Sequence, residues 1–151
     1  MPTLEKTLIL SLYELRLLIR GRIGLLILAA CPILGGILLG LASKGQGTSA
    51  SHGVFLILPI SALLMAVGLR TSGLFPPGED RLAGPIVSGA SRALVALVVL
   101  AAQGAIYAGT TVLLAPESAP GIGMVFAALA VSLALGVAAE MLMPAHRVRA
   151  D

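Results

Sequence analysis

Four long runs contain no Asp, Glu, Lys or Arg: 23–43, 54–69, 93–116 and 118–139. An α-helix needs about 20 mainly apolar residues to cross the hydrocarbon core of a bilayer. The second run is short, but it extends back through Gly53. The sequence therefore predicts four transmembrane helices at about 23–42, 53–71, 93–114 and 121–142. A soluble helix carries a polar face, and these runs are apolar all round. Period-two alternation, the mark of a membrane β-barrel, is absent from them. Helices satisfy their backbone groups within each span, as lipid requires. The expected fold class is an all-α integral membrane protein with a single membrane domain over 1–151.

Composition closes the other routes. The hydrophobic set is 58% of the chain and charged residues 11%, the reverse of what disorder needs. One cysteine, Cys31, cannot form an internal disulfide. Two distant histidines and one thiol do not suggest a zinc site. The net charge of +3 comes from scattered basic residues, so nucleic acid is not an expected partner.

Orientation follows from the basic residues of the short loops. Lys6, Arg16, Arg20 and Arg22 precede the first span, Arg70, Arg81 and Arg92 fall between the second and third, and Arg147 and Arg149 end the chain. The opposite side has Lys44 alone. Both termini and the middle loop, about 72–92, are thus expected in the cytoplasm, with the chain multi-pass in a cell (inner) membrane. A cleaved signal peptide ending near Thr48-Ser49-Ala50 is the competitor for the first span. Its apolar region would be longer than the usual 7–15 residues or so.

Residues 3–20 read as a separate helix. Leu4, Leu8, Leu12, Leu15 and Ile19 recur at helical spacing, with Glu5, Lys6, Arg16 and Arg20 to one side. An amphipathic, Arg-bearing helix suits the membrane surface. The plain alternative is an anchor that holds the N-terminus inside.

Of the connections, 43–53 is Gly- and Ser-rich and reads as flexible, with His52 a solvated loop residue, and 116–120 reads as a tight turn. The middle loop, TSGLFPPGEDRLAGPIVSGASR over 71–92, is more structured. Glu79 and Asp80 suit the first turn of a short helix. Gly84-Pro85 would limit that helix, and Ser88 or Ser91 would cap the third span. The plain reading of Glu79, Asp80 and Arg81 is a solvated turn.

No catalytic constellation, metal cluster or phosphate loop stands out, and no cofactor is expected. Glu79 and Asp80 are adjacent, so on a helix they diverge and cannot jointly hold a metal. Ionisable residues inside membranes mark pathways, yet the span centres lack them. Arg70 and Glu140 fall at cytoplasmic span ends, where long side chains reach the interface. The small four-span multidrug antiporters resemble this chain in size, but they use a glutamate within the first span, which this one lacks. The polar residues of the third span, Gln103, Tyr107, Thr110 and Thr111, share a face. They suit interhelical hydrogen bonds, with a pathway lining as the alternative. Pro32 and Pro59 are candidate kinks. Gly36 and Gly40 form a Gly-x-x-x-Gly pair, and Ala130, Ala134 and Ala138 a similar ladder. Either suits packing within the chain or against another copy.

The run ELRLLIRGRIGLLILAACPILGGILLGL, 14–41, resembles the opening of type-two ABC exporter permeases, with Arg16, Arg20, Arg22 and Pro32 at matching places. The stretch GEDRLAGPIVSGASRALVALVVLAAQ, 78–103, is similar to their cytoplasmic segment between spans two and three. The resemblance implies a permease subunit without enzymatic activity of its own, served by a separate ATP-hydrolysing subunit. It puts Glu79, Asp80 and Arg81 at that contact, with Pro85 and Ser88 nearby. It also implies a homo- or hetero-oligomer with a second permease chain. Family permeases usually carry six spans, and the four expected here leave two missing. A membrane scaffold or accessory subunit is the alternative, and a dimeric small-molecule carrier a weaker third.

Overall fold

The computed structural model describes residues 3–21, 24, 29–46, 50–71 and 84–142. Five α-helices occur in this part of the chain: α1 (Thr3–Arg20), α2 (Cys31–Gln46), α3 (Val54–Thr71), α4 (Pro85–Leu114) and α5 (Ile122–Leu142). Short 3₁₀ turns, Ala50–Gly53 and Pro116–Ser118, precede α3 and α5. No strand occurs among the described residues.

α4 organises the bundle. At 30 residues it is about 45 Å long, from a rise of 1.5 Å per residue, and it packs on all four other helices. α3 and α5 pair closely beside it, while α1 and α2 each lie along it. The start of α4 corrects the expected middle loop. The helix begins at Pro85, so the last eight positions assigned to the loop are its first two turns. Gly84 has φ 82°, a region open to glycine, and Pro85 at the first helical position has the φ that a helix needs. Gly84-Pro85 therefore starts a helix here. Ser88 and Ser91 lie inside that helix, and its N-cap residue, Gly84, makes no side-chain cap bond. The other end closes with Ala115 N–H donating to the Thr111 carbonyl at 2.8 Å, and Pro116 comes next.

Two apolar clusters form the core. Val54, Ile57, Leu58 and Ala62 of α3 meet Leu100 and Tyr107 of α4 and Ala128 and Leu129 of α5. Leu18 of α1 meets Met65 of α3 and Val95 and Val99 of α4. Close approach elsewhere depends on glycine. A Cβ at Gly36 would stand 2.9 Å from Thr110 Cβ, and one at Gly40 would stand 3.3 Å from Leu114 Cβ. The Gly36–Gly40 pair thus faces α4 of the same chain, whose matching residues are also four apart. The alanine ladder on α5 points outward, for Ala130, Ala134 and Ala138 are exposed.

Two helical stretches, Ile86–Leu114 and Ile122–Ala139, are long and apolar enough to cross a membrane. Cys31–Lys44 and Val54–Ala66 are shorter apolar helices. The α5 stretch is only 11% buried within the fold. Its exposed residues include Ile122, Phe126, Val131 and Leu135. So large an apolar surface marks contact with a membrane or another protein.

Candidate functional site

The site is built where α1 meets the first turns of α4. Ser11, Glu14 and Leu18 are the buried residues of α1, and their spacing of three and four puts them on one face. Most of the leucine stripe faces away: Leu4, Leu8, Leu12 and Ile19 are exposed, as are Arg16 and Arg20, while the half-buried Leu15 packs against the cluster around Leu18. The helix thus presents its apolar stripe outward and a face carrying Glu14 to the bundle.

The facing residues on α4 are Ser88, Ser91, Val95 and Val99, all buried. Glu14 is 2% exposed, and its Oε2 accepts a hydrogen bond from Ser91 Oγ at 2.8 Å. A carboxylate out of water is costly unless it is hydrogen-bonded and its charge is balanced. Ser91 supplies the hydrogen bond, and the half-buried Arg92 borders the same cavity. That cavity is about 40 Å³ and lies between α1, α3, α4 and α5. Its other walls are apolar or small, among them Ala62, Met65, Ala96 and Gly136.

The expected contact residues separate. Glu79, Asp80 and Arg81 lie outside the described residues. Pro85 stands at the first position of α4. Ser88 is 5% exposed, so it faces the fold.

The polar residues of α4 lie further along that helix. Gln103, Tyr107 and Thr111 are fully buried. Thr111 Oγ1 donates within its own helix to the Tyr107 or Ala108 carbonyl, at 3.0 and 2.9 Å. Thr110 Oγ1 donates to the Ile106 carbonyl at 2.7 Å. The Tyr107 hydroxyl abuts the place a Cβ would take at Gly53. None of the four borders this cavity. At the same end of the bundle Ser118 Oγ donates to Ser43 Oγ at 3.2 Å, linking the turn before α5 to α2. Among the described residues, no group of three or more His, Cys, Asp and Glu is placed to hold a metal ion.

Hydropathy does not single out Glu14, Ser91 and Arg92 as a group. Leucines define the apolar face of α1, and in water that face would turn inward, leaving Glu14 outside. A usable signal is nevertheless present. Ser11, Glu14 and Leu18 share helical spacing, and Ser88, Ser91, Val95 and Val99 form a complementary stripe of small and β-branched residues.

No protein family, curated protein or solved structure matches the chain.

Proposed function

We propose that the chain is the membrane subunit of an ATP-driven exporter of the ABC type, working with a separate ATPase subunit that binds around 78–92. It would cross a cell (inner) membrane four times, with both termini in the cytoplasm. The observation that carries this reading is the Ser91–Glu14 hydrogen bond. It joins α1 to the start of α4, the two elements that the family resemblance assigns to the cytoplasmic side. Motion delivered to either would reach α4, which touches every other helix. The topology agrees with even crossings. Met65 of α3, Arg92 of α4 and Gly136 of α5 border one cavity, while Ser43 and Ser118 meet at another site. In an alternating bundle these are opposite ends, and nine of the ten basic residues belong with the first.

A second reading, a non-transport scaffold or accessory subunit, is favoured by the size of the cavity. About 40 Å³ holds water but no organic substrate. Mild-detergent purification of the tagged native chain, with mass spectrometry of co-purifying proteins, separates the two. The exporter reading expects a stoichiometric ATPase subunit that is lost when Glu79, Asp80 and Arg81 are all changed to Ala. Recovery of the chain without an ATPase, or retention by the triple variant, refutes the proposed coupling.

A further inference from the structure

The docking of α1 fixes what its free side presents. Ser11, Glu14 and Leu18 centre the face set against the bundle. Ile9, Tyr13, Arg16 and Arg20 recur at steps of four, three and four. At about 100° per residue they fall within a sector of about 60° on the opposite side, and all four are exposed. The exposed Leu8, Leu12 and Ile19 lie between the two faces. We propose that this free side of α1 is a binding surface for anionic lipid headgroups, with the leucine edge among acyl chains and Arg16 and Arg20 on the phosphates. The proposal rests on the membrane reading of the chain and not on an ATPase partner.

Three observations combine. The first is charge. Glu5 and Lys6, both exposed, stand side by side at the start of α1 and offset each other. Arg16 and Arg20 are the other exposed charges of this helix, and Glu14 is buried on the far face. Glu5 lies about 16 Å back along the axis from Arg16. The last two turns of the free side are therefore purely cationic. The second is spacing. Arg16 and Arg20 are one turn apart, about 6 Å along the axis, and each guanidinium can hold a phosphate through paired N–H donors. A zwitterionic headgroup carries its own ammonium beside the phosphate, so two fixed positive charges favour a headgroup of net negative charge. The third is the apolar edge. Leu8, Leu12 and Ile19 are exposed beside the arginines, and a helix with a cationic side and an apolar side seats at headgroup depth. The arginine stems lie along apolar surface while their heads reach the charged layer. An acidic protein segment would satisfy the arginines and leave the leucine edge uncovered; a lipid supplies headgroup and acyl chain together.

The chain contains no tryptophan, so a single introduced one reports its own surroundings. Tyr13→Trp places it on the free side of α1, and Phe126→Trp, at an exposed position of α5, is the control. Each full-length variant goes into vesicles of equal phosphatidylcholine and phosphatidylglycerol. One lipid or the other carries bromine, a tryptophan quencher, on its acyl chains. Quenching in the Tyr13→Trp chain should report roughly fivefold enrichment of phosphatidylglycerol, the factor that one basic residue near the surface supplies. The Phe126→Trp chain should be quenched alike by both lipids. Adding Arg16→Gln and Arg20→Gln to the Tyr13→Trp chain should abolish the enrichment. Salt at about 1 M should weaken it with every residue in place, which decides the matter if the double substitution fails to fold. Equal quenching of the Tyr13→Trp chain by the two lipids overturns the proposal, as does an enrichment that survives the loss of both arginines or the added salt. If neither lipid quenches the Phe126→Trp chain, the membrane reading itself falls, and this proposal with it.

Discussion

Replacing glycine by alanine should have opposite effects at two helical positions. Gly36 of α2 and Gly109 of α4 both lie within helices. At each, alanine gains roughly 0.5–1 kcal/mol in helix preference. At Gly109 a new Cβ meets nothing within 4 Å, so that gain stands. At Gly36 the Cβ would stand 2.9 Å from Thr110 Cβ and 3.0 Å from its Cγ2. Carbon atoms pack best at about 3.5–4.0 Å, a shortfall of at least half an ångström. Thr110 cannot yield by rotating, because its Cβ is fixed to the α4 backbone. The helices must separate, and overpacking of this kind costs about 1–3 kcal/mol. Gly36→Ala should therefore range from near neutral to about 2.5 kcal/mol destabilising, while Gly109→Ala stabilises by up to about 1 kcal/mol. Reversible unfolding in mixed micelles, followed by circular dichroism, gives both values. If the two variants shift equally and in the same direction, the close α2–α4 packing at Gly36 is refuted.

The hydrogen bonds and the helix order carry further expected outcomes. Ser91→Ala removes the donor to the buried Glu14 and should cost about 1–3 kcal/mol in the same unfolding assay; a loss under 0.5 kcal/mol or so would deny that bond its role. Thr111→Val should cost less than about 1 kcal/mol, since its hydroxyl bonds only to carbonyls of its own helix. A loss above about 2 kcal/mol would show that the hydroxyl serves another helix. In the Cys31→Ser background, Ser43→Cys and Ser118→Cys should react with an impermeant maleimide from one face of the membrane, and Glu5→Cys from the other. Reaction of Ser43→Cys and Ser118→Cys from opposite faces would refute the proposed four-span arrangement.

The helices themselves were legible because hydropathy reports the environment of a whole segment. The absence of charge over 93–116 and 118–139 finds α4 and α5 almost where they lie. The start of α4 was harder. Gly84-Pro85 occurs both where helices stop and where they begin, and the residues after Pro85 decide between the two. Ile86 and Val87 come first, then Ser88, Ser91, Val95 and Val99 at helical spacing. Arg92 obscured that pattern, because a search for charge-free runs ends at any charge. The gain from packing two further turns against α1 exceeds the cost of placing one half-buried arginine there.

Glu14 was obscured for a related reason. Amphipathicity sorts a helix into an apolar face and a polar face, and in water the apolar one goes inside. Next to lipid the preference changes, because hydrocarbon is as acceptable to leucine as a protein core. Leu4, Leu8, Leu12 and Ile19 are exposed, which in a bilayer costs them nothing. The face that needs protein partners is the one lipid cannot satisfy. On α1 that face carries a serine and a carboxylate, and α4 answers it with Ser91. A helix at a membrane is thus better oriented by asking which side chains lipid would leave without hydrogen bonds than by asking which are apolar. The same rule accounts for α4, where Gln103, Tyr107 and Thr111 are fully buried while Leu97, Val98, Val112 and Leu113 are exposed. In both helices the polar side chains are buried and large apolar ones exposed, the pattern that contact with lipid or with another protein favours.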